Sequence, residues 1–183
     1  MNSSNKKDIA VFGGGCFWCT EAIFERLGGV LSVESGYAGG SAENPNYENV
    51  SSGHSGHAEV IKIEFDSEKI SYEDLLTVFF FTHDPTTLNR QGADIGAQYR
   101  SLIFYTDKEQ QSKAEEFIKR LEDEKAYSNP IVTEVKPLEK FYPAEAYHQK
   151  YYKNNKDAPY CQIVIAPKLD KLEKRFSALL NNK

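Results

Sequence analysis

The chain has 183 residues, 40% apolar and 27% charged, with 11 Phe, 11 Tyr, a single Trp and a formal charge of −5. That is one domain's worth of chain with enough apolar material for a core, which excludes global disorder. An acidic balance without a basic patch excludes a general nucleic-acid binder, and the most apolar stretch, Leu75 to Phe81, is far short of the ~20 residues that cross a bilayer.

The opening MNSSNKKDIAVF carries two lysines and then four apolar residues, too few for a secretory segment. The expected compartment is the cytosol, where Cys16, Cys19 and Cys161 stay reduced. Asp8 to Phe12 reads as a buried strand ended by Gly13-Gly14-Gly15. A helix is expected from Cys16, with Phe17, Ile23, Phe24 and Leu27 toward one side and Gly28-Gly29 as its stop. Val30 to Tyr37 reads as a strand, and 41–56 as a long polar loop. From His57 to Phe65 the residues alternate: Glu59, Ile61, Ile63 and Phe65 share one face, Val60, Lys62 and Glu64 the other. Ser71 is placed to cap a helix filled by Leu75 to Phe81, with Asp74 three residues on.

A loop over 83–96 precedes a fourth strand, Tyr99 to Tyr105. The order β-α-β-β-α-β is that of an α+β, ferredoxin-like split βαβ two-layer sandwich. A helix bearing Ala114, Phe117, Ile118 and Leu121, a strand near Ile131 to Val135 and a C-terminal helix over about 167–181 complete one domain, 1–183, whose core spans about 8–165. Between Cys161 and that helix, QIVI looks strand-like.

The chemistry concentrates around Gly-Gly-Gly-Cys-Phe-Trp-Cys-Thr-Glu, residues 13–21. A cysteine where a glycine turn enters a helix meets free N–H groups and the helix dipole, both of which favour the thiolate. Phe17 and Trp18 offer an aromatic wall. Glu21, one turn further, reads as a carboxyl group of raised pKa that could donate a proton. Competing motifs fail on spacing. Trp18 stands where a dinucleotide fingerprint needs its third glycine, and no Gly-Lys-Ser/Thr follows. Cys16 and Cys19 form one C-x-x-C without a second ligand pair for zinc. A thioredoxin-like redox role fits the C-x-x-C, but the order of elements around it differs. His57 and His148 read as hydrogen-bonded structural histidines.

Taken in order, Gly-Cys-Phe-Trp, Gly-Tyr-Ala-Gly-Gly (36–40), Asn-Pro-Asn-Tyr (44–47), Gly-His-Ala-Glu (56–59), His-Asp-Pro-Thr (83–86), Arg-Gln-Gly-Ala-Asp (90–94), Gln-Tyr-Arg-Ser (98–101), Tyr-His-Gln (147–149) and Tyr160-Cys161 resemble peptide methionine sulfoxide reductase of the A type, specific for the S epimer. The resemblance implies Cys16 as nucleophile, Phe17 and Trp18 as the pocket for the substrate's S-methyl group, and Glu21 as the acid that protonates the sulfoxide oxygen. It implies Tyr47 and Tyr99 as phenols bonding that oxygen, and Glu59 and Asp94 as the remaining polar wall. Without it, the two tyrosines read as ordinary half-buried residues and Asp94 as a turn residue.

The implied chemistry runs from a Cys16 sulfenic acid to a disulfide that thioredoxin reduces. It needs neither metal nor organic cofactor and implies a monomer that repairs oxidised protein or free methionine sulfoxide. Two departures leave the resolving thiol open. Cys19 stands where glycine is usual and could close a bridge to Cys16 across one helical turn. Cys161 keeps the Tyr-Cys context of the usual resolving position and is preferred for that reason, although it lacks a glycine-rich tail; Cys19, or direct reduction of Cys16 by the dithiol partner, is the alternative.

Overall fold

The computed structural model describes residues 6–181. Strand β1 (Lys7–Gly13), helix α1 (Phe17–Phe24), strand β2 (Val30–Ala38), strand β3 (Ala58–Asp66), helix α3 (Tyr72–Thr82) and strand β6 (Leu102–Tyr105) form its centre. With β7 (Glu134–Pro137) and β8 (Phe141–Pro143), the sheet has six strands in the order β7-β6-β1-β3-β2-β8. The four central strands pair antiparallel, while β7 (Glu134–Pro137) runs parallel to β6. On β3 the alternation holds: Ile61, Ile63 and Phe65 join Ala10, Phe12 and Ile103 beneath the helices. Val60 faces the other side in a smaller cluster with Val11, Ala38, Leu102 and Phe104.

Phe12 is the centre of the larger cluster, stacked on Phe79 at 4.9 Å and tilted against Phe24 at 5.8 Å. Helix α3 is capped as expected: the Ser71 hydroxyl accepts from Asp74 N–H at 3.0 Å and the Asp74 carboxylate accepts from Ser71 N–H at 3.0 Å. Helix α4 (Lys108–Asp123) buries Ala114 and Phe117, and α6 (Ala166–Phe176) buries Leu169 and Leu172. The chain then returns to the far end of α1, where Gly28 N–H donates to Leu179 C=O at 2.7 Å and Asn181 N–H to Arg26 C=O at 2.9 Å.

Several expectations need correction. The 41–56 loop contains a short helix, α2 (Tyr47–Ser51), set by an Asn46–Asn49 capping box. The 83–96 loop contains a hairpin, β4 (Arg90–Gln91) with β5 (Asp94–Ile95). Tyr99 lies in a 3-10 turn ahead of β6 rather than in the strand. An edge strand, β8 (Phe141–Pro143), pairs with β2. The residues after Cys161 form a π-helical turn, Cys161–Ile165, continuous with α6; of this run Cys161 and Ile165 are buried while Ile163 is exposed, and none of it pairs in the sheet. Another short helix, α5 (Tyr151–Asn154), follows Lys150, whose backbone is left-handed at φ 53°. Among the described residues no helix is long and apolar enough to cross a membrane.

Candidate active site

Cys16 lies where β1, through its glycine turn, enters α1. Gly15 has φ +91°, and a Cβ there would stand 2.6 Å from Gln91 Cγ, so glycine is required. Cys16 is the N-cap residue, but its side chain caps nothing. The cap comes from β3: the Glu59 carboxylate accepts from Phe17 N–H at 3.0 Å. A residue from the buried face of the sheet thereby satisfies a free helix N–H and sits beside the cysteine.

Electrostatics around the sulfur run against the simple expectation of a thiolate. Cys19, burial and the Glu59 charge all push the Cys16 thiol up. Cys19, favoured by its hydrogen bond from Cys16, is lowered to about 7. Cys16 and Cys19 titrate as a pair, and the helix start alone does not ionise Cys16. Burial raises Glu59 to about 8, so this carboxyl group carries a proton at neutral pH. Tyr47 and Tyr99 are both raised by burial first and by the charges of Glu59 and Cys16 next. The structure thus gathers Cys16, Cys19, Glu59, Tyr47 and Tyr99.

It does not bring Glu21 there. That side chain is 1% exposed, and its Oε1 accepts from Lys150 N–H at 2.9 Å. Burial raises it to about 7, and neither Cys16 nor Cys19 is among the groups that shift it. Glu21, expected as the acid at the sulfur, bonds the 148–151 segment, whereas Glu59 reaches the start of α1 from β3.

Phe17 is buried against Tyr37 and His148. Trp18 is half-buried. Its ring stacks on Tyr151 at 3.6 Å and 6°, and its Nε1–H donates to His148 Nδ1 at 3.0 Å. The His148 proton therefore sits on Nε2, 3.8 Å from Glu145, a separation too long for a hydrogen bond. Glu145 accepts from the Tyr37 hydroxyl at 2.8 Å and from Tyr47 N–H at 2.7 Å. Asp94 accepts from the Tyr160 hydroxyl at 2.8 Å, and Tyr160 oxygen lies 3.6 Å from Cys19 Sγ. Cys161 is fully buried in the π-helical turn, and burial raises its thiol. All three cysteines are free thiols. His57, as expected, is structural, accepting from Gly40 N–H and bonded to Ala42 C=O.

Sequence reasoning missed the roles of Glu145, Tyr151 and Tyr160. The one signal was the aromatic cluster around Tyr-His-Gln, which has no helical or strand period. Among the described residues no group of three His, Cys, Asp or Glu side chains converges as metal ligands.

The family model for peptide methionine sulfoxide reductase matches residues 8–180. The chain is 56% identical to the MsrA of Nautilia profundicola over 162 residues, covering 88% of this chain and 92% of that protein. It is 54% identical to the MsrA of Deinococcus radiodurans over 170 residues, covering 93% and 82%. Among solved structures, reduced Mxr1 of Saccharomyces cerevisiae superposes with a TM-score of 0.78 at 30% identity, covering 88% of this chain and 92% of that one. The methionine sulfoxide reductase A of Corynebacterium diphtheriae gives 0.74 at 29% identity, covering 85% and 78%. Mxr1 has also been solved in complex with Trx2, with a TM-score of 0.55 at 23% identity and coverage of 82% and 88%. The chain belongs to the peptide methionine sulfoxide reductase family, and its activity is the return of methionine sulfoxide to methionine in the repair of oxidised protein.

Proposed function

We propose that this reductase acts on the S epimer of methionine sulfoxide, free or in proteins, with Cys16 as nucleophile and Glu59 as the acid. The observation that carries the reading is Glu59, protonated and bonded to Phe17 N–H at the same helix start as Cys16. Phe17 and Trp18 form the wall for the S-methyl group. Tyr47 and Tyr99 bond the sulfoxide oxygen, and Asp94 completes the polar side.

The Cys16 sulfur attacks the sulfoxide sulfur while its proton passes to Cys19 and the Glu59 proton passes to the oxygen. Methionine leaves and Cys16 becomes a sulfenic acid. Cys19 then attacks the Cys16 sulfur. Its proton returns to the Glu59 carboxylate, and the hydroxyl leaves as water with a proton from the medium. A dithiol, read as thioredoxin, reduces the Cys16–Cys19 disulfide by exchange. Cys19 is favoured over Cys161 because it adjoins Cys16 at C-x-x-C spacing, whereas Cys161 is locked in a buried turn. The steps run on sulfur and carboxyl groups of the site and require no metal or organic cofactor. The same reading takes the four central strands with α1 and α3 as a ferredoxin-like split βαβ sandwich, the chain as one domain over 1–183, and the protein as a cytosolic monomer.

Epimer-resolved turnover with dithiothreitol tests the function. The S epimer alone should be consumed, and Cys16→Ser should abolish turnover; consumption of the R epimer, or activity surviving that substitution, overturns the reading. Mass spectrometry after sulfoxide treatment without reductant should find a Cys16–Cys19 peptide, and a Cys16–Cys161 peptide would reverse the resolving assignment.

A further inference from the structure

We infer that Glu21 is a positioning residue: its buried carboxyl group latches the left-handed Lys150 turn to helix α1, so that His148 and Tyr151, on either side of that turn, grip the indole of Trp18. The inference rests on the proposed role of Trp18 as the wall of the S-methyl pocket.

The geometry is a three-point clip between one helical turn and one short segment. Trp18 and Glu21 stand three apart on α1, on neighbouring positions of its surface. From the other side, His148 Nδ1 accepts the indole N–H at 3.0 Å, and the Tyr151 ring lies flat on the indole at 3.6 Å and 6°. Between these contacts, Lys150 is left-handed at φ 53°, a conformation that a lysine adopts at a steric cost. Its N–H is held by Glu21 Oε1 at 2.9 Å, and the next N–H, of Tyr151, also stabilises the carboxylate. Without an acceptor on Glu21 that N–H is stranded, the turn is free to relax toward right-handed backbone, and the spacing that places both rings on Trp18 is lost. The substrate's methyl group would then meet a displaced wall, which weakens binding more than chemistry.

Acid catalysis and latching order the variants of Glu21 oppositely. Glu21→Gln keeps an oxygen acceptor at full length but cannot donate a carboxylic proton. Glu21→Asp keeps the acid but falls one methylene short of Lys150. Single-turnover reduction of methionine S-sulfoxide, without reductant, is the readout. Glu21→Gln is expected to match wild type within about twofold, while Glu21→Asp raises the half-saturating concentration about tenfold and leaves the rate at saturation within about twofold. Because Trp18 is the only tryptophan, emission reports the clip directly and without substrate. Its maximum and its quenching by acrylamide should change in Glu21→Asp and Tyr151→Leu and stay at wild-type values in Glu21→Gln. Loss of saturated rate in Glu21→Gln, or Trp18 emission unchanged in Glu21→Asp, overturns the latch. Altered emission with an unchanged half-saturating concentration in both Glu21→Asp and Tyr151→Leu would instead keep the latch and overturn the methyl-pocket reading.

Discussion

The central sheet with its covering helices and the segment from Phe141 to Cys161 are built on different principles. The former buries Phe12, Ile61, Ile63, Leu75 and Phe79 completely and pairs β1 with β3 from Lys7 to Phe12, and β2 with β3 with one register shift between Val30 and Ser32. The latter contains a three-residue edge strand, the four-residue helix α5 and short turns, and is tied down by single polar bonds. Gln149 accepts from Ser35 N–H at 2.9 Å and donates to the carbonyls of Ser35 at 2.8 Å and Ala144 at 3.1 Å. Glu145 holds Tyr37 and Tyr47, and Glu21 holds Lys150. The sheet region supplies stability and positions Cys16 and Glu59, the proposed reacting groups. The strap supplies the walls around them, and such a strap is easier to detach than a core.

Four substitutions probe that division. Phe12→Ala should be the most damaging to the fold, costing about 3–5 kcal/mol as a large cavity opens beneath α1 and α3; chemical denaturation measures it, and a loss under 1 kcal/mol would mean that the core is not centred there. Glu59→Gln should leave stability nearly intact and lower single-turnover sulfoxide reduction about 100-fold. With Glu59 held up to about 8 by burial, its acid form is present below that value and lost above it. The wild-type rate should therefore fall as pH rises through about 8, and this limb should vanish in Glu59→Gln. Gln149→Ala removes three bonds of the strap and should cost about 1–3 kcal/mol, with Trp18 emission changing at denaturant concentrations that leave far-UV circular dichroism native. Coincident transitions would show strap and core to be one cooperative unit. Ser71→Ala, which unmakes the cap of α3, should cost only about 1 kcal/mol and leave activity unchanged, a control for core perturbation without a change in the site.

The same division governs what could be read in advance. Strands β1, β2 and β3 and helices α1 and α3 announce themselves by local pattern, down to Glu59 sharing a face with Ile61 and Ile63. Cys16 stands out by local context alone. The partner of Glu21 was not legible, because helical spacing put Glu21 near Trp18 but could not say that its carboxyl group turns to a backbone 129 residues away. Glu59 reaches Cys16 only through the pairing of β1 with β3. The strap lay beyond pattern reading for a related reason: its conformation is dictated by individual acceptors on distant elements, as with Gln149 on Ser35, and no periodicity encodes those. QIVI misled because a short apolar run is equally at home in a strand and in a helical turn, here one that buries Ile165 and leaves Ile163 exposed.

The return of the chain to the base of α1 has a mechanical corollary. The eight-residue helix is pinned at its entrance by Glu59 and just past its exit by Gly28 N–H donating to Leu179 C=O and Asn181 N–H donating to Arg26 C=O, like a beam fixed in two walls. Strain generated by the proposed oxidation of Cys16, the residue that caps its entrance, cannot be relieved by tilting the beam. It must be shed into whatever lies alongside, and trimming residues 177–181 would loosen the far wall and be felt at the reacting sulfur without any atom near that sulfur having been touched.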